Sequence, residues 1–164
     1  MSNAAHVAFF GKCAIIVPEE VMNLTENMRK AVSMLSEQEL TLAAVNGDER
    51  ITSRERGVKP LLELIDKDST LEGFSAADKV VGAAAAYLYV ILGVKELYAR
   101  VISRKALEVL DKYGICAEYG TLAEAIINRS GTGLCPMETA VSGAASPENA
   151  SELIRAKLKE FSGR

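Results

Sequence analysis

The stretch SAADKVVGAAAAYLYVILG, residues 75–93, decides how the rest of the chain is read. Its portion 80–94 carries no charge and is apolar on nearly every face. A helix that is apolar all round lies in a core or in a membrane, and a span needs about 20 such residues. This run falls short, so the expectation is the central buried helix of a soluble domain, opened by Ser75, with Asp78 at a capping-box spacing, and closed by Gly93. Asp78, Gly82, Ala85 and Tyr89 then share one stripe. That stripe packs closely against a sheet, or it brings Asp78 and Lys79 to a ligand at the helix start.

Working outward, 164 residues make one domain with a core that needs no disulfide. There is no tryptophan and only 5% is aromatic, so Leu, Val, Ile and Ala must build that core. The net charge of −3 argues against a nucleic-acid partner, which calls for a basic face. The basic cluster Arg54, Arg56 and Lys59 is local and interrupted by Glu55. It reads as a solvated loop or as a clamp for phosphate or carboxylate. Cys13, Cys116 and Cys135 are widely spaced, and the single histidine is His6, so no zinc spacing exists. Free thiols and an N-terminus without a basic leader or cleavage site predict a cytoplasmic protein. Residues 1–20 read as a loosely attached or non-native extension, with Met22 a plausible natural start, and 21–164 as the single domain.

Asn23 is expected to cap a helix over about 24–36. Extended runs near 39–45 and 50–54 flank Asn46-Gly47, a strong hairpin signal. Pro60 suits the first turn of the next helix. After the apolar run, 95–102 alternates over part of its length and reads as a strand, and Ser103 caps a helix that Gly114 ends. Residues 115–119 are a short strand, and Thr121 with Glu124 predicts a short helix. A turn-rich loop, a short helix from Pro136 and an amphipathic helix from Ser146-Pro147 complete the chain. A hairpin followed by strand–helix units implies a mixed sheet with helices on both faces.

The loop NRSGTGLCPME, residues 128–138, is the strongest candidate site. Gly131 and Gly133 let backbone N–H groups approach a ligand, with Arg129 and Thr132 beside them. Cys135 precedes the helix opened by Pro136, and Glu138 is placed to close back on the cap. A thiol at a helix N-terminus gains thiolate character, which makes Cys135 a candidate nucleophile. The plain alternative is a small cap residue in a tight loop. A histidine-activated thiol has no base, because His6 lies in the leader.

The strings TSRERGVKPLLELID, GFSAADKVVGAAAAYLYVILGVKELYARVIS, ALEVLDKYGI and AIINRSGTGLCPMETAV closely resemble the bacterial family known as the domain of unknown function 1893 (DUF1893), over about residues 37–158. That resemblance implies a cytidine deaminase-like fold, a three-layer α/β/α sandwich with a mixed sheet. Zinc deaminases carry H-x-E at the start of the helix after the hairpin and P-C-x-x-C at the start of the helix after the next strand. By expected element order those positions fall at 75–79 and 103–106, which read SAADK and SRKA and hold no zinc ligand. The expectation is therefore a pocket without metal or other cofactor, lined by Ser75, Asp78, Lys79, Ser103, Arg129, Thr132, Gly133, Cys135 and Glu138, that binds an unidentified small molecule. Two alternatives stand beside it: a transferase or hydrolase using Cys135 as nucleophile, and a non-catalytic homo-oligomeric interaction module. Neither a nucleic acid nor a membrane is expected as partner.

Overall fold

Gly82 divides the apolar run. In the computed structural model, which describes residues 24–163 and the backbone of β1 (Phe9–Phe10) and β2 (Cys13–Ala14), residues 75–93 are not one helix. They form strand β5 (Ser75–Val81) and helix α3 (Ala83–Leu92), with Gly82 extended between them at φ −93° and ψ 176°. The capping box expected at Ser75 and Asp78 does not exist, because both are strand residues. The cause of the misreading is physical. A strand buried on both faces carries no alternation, so β5 and the alanine-rich α3 merge into one apolar string. The closing signal holds: Gly93 adopts the left-handed conformation, φ 71°, and its N–H donates to the carbonyls of Tyr89 and Val90.

The other elements are α1 (Glu26–Glu37), the hairpin β3 (Leu42–Asn46) and β4 (Glu49–Ser53), α2 (Lys59–Asp66), β6 (Glu96–Ser103), α4 (Arg104–Lys112), β7 (Cys116–Ala123), α5 (Pro136–Ala140) and α6 (Pro147–Ser162). Thr25 caps α1, accepting from the Met28 N–H, and Asn23, the expected cap, lies outside the described residues. The hairpin loop is Gly47-Asp48, one residue later than expected, with Gly47 at φ 60°. The helix expected from Thr121 is instead the end of β7, whose Leu122 pairs with Ile102. The expectation for residues 1–20, with His6 and Cys13, falls outside the described residues apart from the antiparallel backbone pairing of β1 with β2.

Among the described residues the main sheet has five strands in the order β4-β3-β5-β6-β7. β3 is antiparallel to both β4 and β5, while β5, β6 and β7 run parallel. Alternate residues feed two cores. Ala43, Val45 and Ala77 pack with Ala31 and Leu35 of α1 on one face. Leu42, Ala44 and Ala76 pack with α2, α3 and α4 on the other, and Ile154 of α6 joins that core. The chain is thus α/β, a mixed sheet covered by helices on both faces.

The alternation steps by one residue along a line crossing the three parallel strands. Ala76, Leu97, Ala99, Ala117 and Tyr119 face the larger core, and so do Val81, Ile102 and Leu122. The parity changes between Asp78 and Val80, between Ala99 and Val101, and between Tyr119 and Thr121, at Lys79, Arg100 and Gly120. This step explains why residues 95–102 alternate over only part of their length. It also requires Gly120, where an added Cβ would lie 3.0 Å from the Arg100 carbonyl oxygen and 3.3 Å from the Tyr98 hydroxyl. Backbone gives way less readily than a side-chain tip, so Gly120→Ala is expected to destabilise the fold by about 1–3 kcal/mol. Urea unfolding of the variant measures this, and an unchanged midpoint would contradict the close approach.

Candidate functional site

A cavity of about 830 Å³ opens beyond the C-terminal end of β5. Its walls come from the segment leading into α2 (Arg56, Gly57 and Val58), from β5 and the start of α3 (Asp78, Lys79, Val80, Gly82, Ala85), from Ile126, Ile127 and Arg129, from the start of α5 (Cys135, Met137, Glu138), and from Leu158 and Phe161 of α6. Ligand sites in open α/β sheets lie outside the carboxyl ends of the strands, and this cavity has that location.

Asp78 is half-buried in the cavity wall. Its Oδ2 accepts a 2.7 Å hydrogen bond from the Tyr89 hydroxyl, and its Oδ1 accepts the Val80 N–H at 3.0 Å. Chain geometry makes the Tyr89 contact natural. The strand covers roughly 13 Å from Gly82 back to Asp78, and the helix rises about 10 Å from Gly82 to Tyr89. The two side chains therefore meet where α3 folds back over β5. The stripe inferred from sequence paired these residues through a helical period that is not there. Burial pushes the Asp78 carboxyl up to about 6 against the pull of its Tyr89, Val80 and Lys79 hydrogen bonds. Burial and the adjacent carboxylate raise the Tyr89 phenol well above its usual value.

Glu138 reaches the opposite wall. Its Oε1 is enclosed and accepts no hydrogen bond, and it would lie 2.7 Å from a Cβ added at Gly82. Gly82 is therefore needed for close approach rather than for its backbone angles. The sequence expectation that Glu138 closes back on its own cap is not met: the carboxylate crosses to the start of α3 instead.

Of the residues expected to form a site, the structure brings five to the cavity: Asp78, Lys79, Arg129, Cys135 and Glu138. It leaves four elsewhere. Ser75 starts β5 at the far end of the sheet, buried, with its hydroxyl donating to Glu96. Ser103 is buried as the cap of α4, accepting the Ala106 N–H at 3.1 Å. Thr132 and Gly133 lie in the exposed turn of a small hairpin bridged by Ile127 and Leu134. The polar groups of that turn serve the turn itself: the Asn128 Oδ1 accepts the Thr132 N–H at 3.0 Å, and the Gly131 N–H donates to the Asn128 carbonyl at 3.0 Å. Cys135 makes no side-chain cap bond, and α5 is only five residues long.

Several wall residues went unsignalled in the sequence. Val80, Ile127 and Phe161 read there as ordinary apolar positions, yet they are large hydrophobics exposed at the cavity. Of the basic cluster, Arg54 donates to the Gln38 carbonyl at 3.2 Å, whereas Arg56 and Lys59 reach the cavity. Among the described residues, no three His, Cys, Asp or Glu side chains come together to hold a metal ion. No helix of the described residues is long and apolar enough to cross a membrane.

A family model described as "Domain of unknown function (DUF1893)" matches residues 30–158. The chain belongs to the DUF1893 family. A crystal structure of a DUF1893 family protein from Thermotoga maritima is similar to it, with 32% identity and a TM-score of 0.73 over 84% of this chain and 92% of that one. No curated protein matches the chain. The mixed sheet and its helices are thus shared with a DUF1893 relative.

The buried carboxyl has a consequence for stability. An unfolded chain ionises Asp78 near the ordinary value of 3.8, and the folded chain does so at about 6. Between these values the folded state keeps a proton that the unfolded state has released. Rising pH therefore disfavours folding there, by at most about 1.4 kcal/mol per pH unit, and the loss levels off above the folded value. Glu118 adds the same sign, since burial and then the Glu96 charge push it to about 7. Urea unfolding of Asp78→Asn is expected to fall less steeply than the natural sequence between about pH 4 and 6. Equal slopes would contradict an enclosed carboxyl.

Proposed function

We propose that this DUF1893 protein binds a small organic molecule in the cavity beyond β5, within a deaminase-like fold that has no zinc site. The observation that carries this is one concavity beyond β5 that brings the Asp78 and Glu138 side chains together with the exposed apolar side chains of Val80, Ile127 and Phe161. Small-molecule sites are concave and mostly apolar, with a few polar groups that fix orientation. A volume of about 830 Å³ lies within the range of small-molecule sites.

The strand order β4-β3-β5-β6-β7, with an antiparallel hairpin leading into parallel strands, supports the deaminase-like reading. Element order moves the two zinc-ligand positions from 75–79 and 103–106 to the starts of α2 and α3. The residues there are Arg56, Gly57, Val58 and Lys59, and Gly82, Ala83, Ala84 and Ala85. None supplies an imidazole or a thiolate, so a deaminase zinc does not fit and no metal-dependent step follows. The two helix starts border one cavity, so the pocket remains where the ligand set is missing.

Native mass spectrometry of freshly purified protein tests this reading. The expected result is a non-covalent adduct that survives in Cys135→Ala and is lost in Gly82→Val, whose side chain would take the place of the Glu138 carboxylate. A covalent adduct that disappears in Cys135→Ala would replace this reading with the thiol-dependent transferase or hydrolase. An adduct unaffected by Gly82→Val would place the ligand elsewhere.

A further inference from the structure

The charged groups that line the cavity carry both signs. Asp78 and Glu138 are half-buried acids. Lys59 and Glu55 neutralise each other at 3.0 Å. Arg56, Lys79 and Arg129 also line the cavity, and none of them forms an ion pair with a described residue. They come from three separate places: the segment before α2, strand β5 and the loop before α5.

The apolar surface is gathered there too. The exposed large hydrophobics among the described residues are Val80, Tyr113, Ile127, Leu134 and Phe161. Val80, Ile127 and Phe161, at 48%, 54% and 42% exposure, all line this cavity. Exposed apolar surface gathered around a concavity marks a place where an apolar body is received.

We infer that the cavity takes an amphipathic organic anion. Its apolar body lies against Val80, Ile127 and Phe161, and its anionic group sits among Arg56, Lys79 and Arg129. This inference rests on the small-molecule reading above and names the chemistry of that molecule.

Two fluorescent probes that share one body and one N–H test it on the full chain: 8-anilinonaphthalene-1-sulfonate and its uncharged counterpart, N-phenyl-1-naphthylamine. Fluorescence titration at low salt is expected to show the sulfonate binding about tenfold tighter, as three partly exposed charge contacts would give. In roughly 1 M salt the preference should collapse, because exposed charges are then screened. The triple variant Arg56→Ala/Lys79→Ala/Arg129→Ala should bring the two probes to within about twofold of each other. Equal affinities in the natural sequence, or a preference unmoved by salt and by the triple variant, would overturn the anionic end. Binding of neither probe would overturn the small-molecule reading itself, a failure distinct from loss of the preference alone.

Discussion

Strand β5 must sit at the centre of the sheet, buried on both faces and bonded on both edges, and the rest of the structure follows from that. Its backbone pairs with β3 on one side and β6 on the other. Its side chains at the centre are Ala76 and Ala77, each fully buried. Ala43, Ala44 and Ala99 continue the same pattern on neighbouring strands. Small side chains let both helix layers approach the sheet, which suits a core with few aromatic rings. The alanines at the start of α3 do the same from the helix side. Gly82 then turns the chain from strand to helix, and the Asp78–Tyr89 hydrogen bond ties the two together where they run side by side.

The cavity is a product of this arrangement. Parallel strands end together, and the helices that follow them begin together, so the space beyond β5 is bordered by starts of helices. At that edge the alternation has already stepped by one residue, so Val81 enters the core and Val80 turns outward at 48% exposure. The short α5 then brings Glu138 against Gly82, a contact that only a residue without a Cβ permits. The Glu138–Gly82 contact and the exposed Val80 thus have separate origins, one in the turn after β5 and one in the step within the strands.

Much of the fold was legible in the chain. The hairpin, Pro60 in the first turn of α2, Gly93 ending α3, Ser103 capping α4 and Ser146 capping α6 are local signals with local causes, and the structure keeps each of them. The central strand was not legible. Alternation is the signature of a strand with one wet face, and β5 has none. The apparent capping box at Thr121 and Glu124 failed for a related reason: β7 continues through Ala123 after its step at Gly120, so the pattern breaks where the strand does not. The site was partly legible. Asp78, Lys79, Arg129, Cys135 and Glu138 stood out by residue type and share the cavity. Thr132 and Gly133 stood out equally, but the Asn128 side chain folds their turn onto itself. Val80, Ile127 and Phe161 matter through exposure, which depends on tertiary structure alone.

The proposed ligand site is one cavity, between the starts of α2 and α3. Amide chemical-shift mapping by NMR, with the anilinonaphthalene sulfonate titrated into the full chain, tests it most directly. The shifted amides are expected to cluster at Gly57, Lys79, Gly82, Ile127 and Glu138. Shifts centred instead on the far end of the sheet, around Ser75 and Glu96, or scattered without a centre, would contradict it.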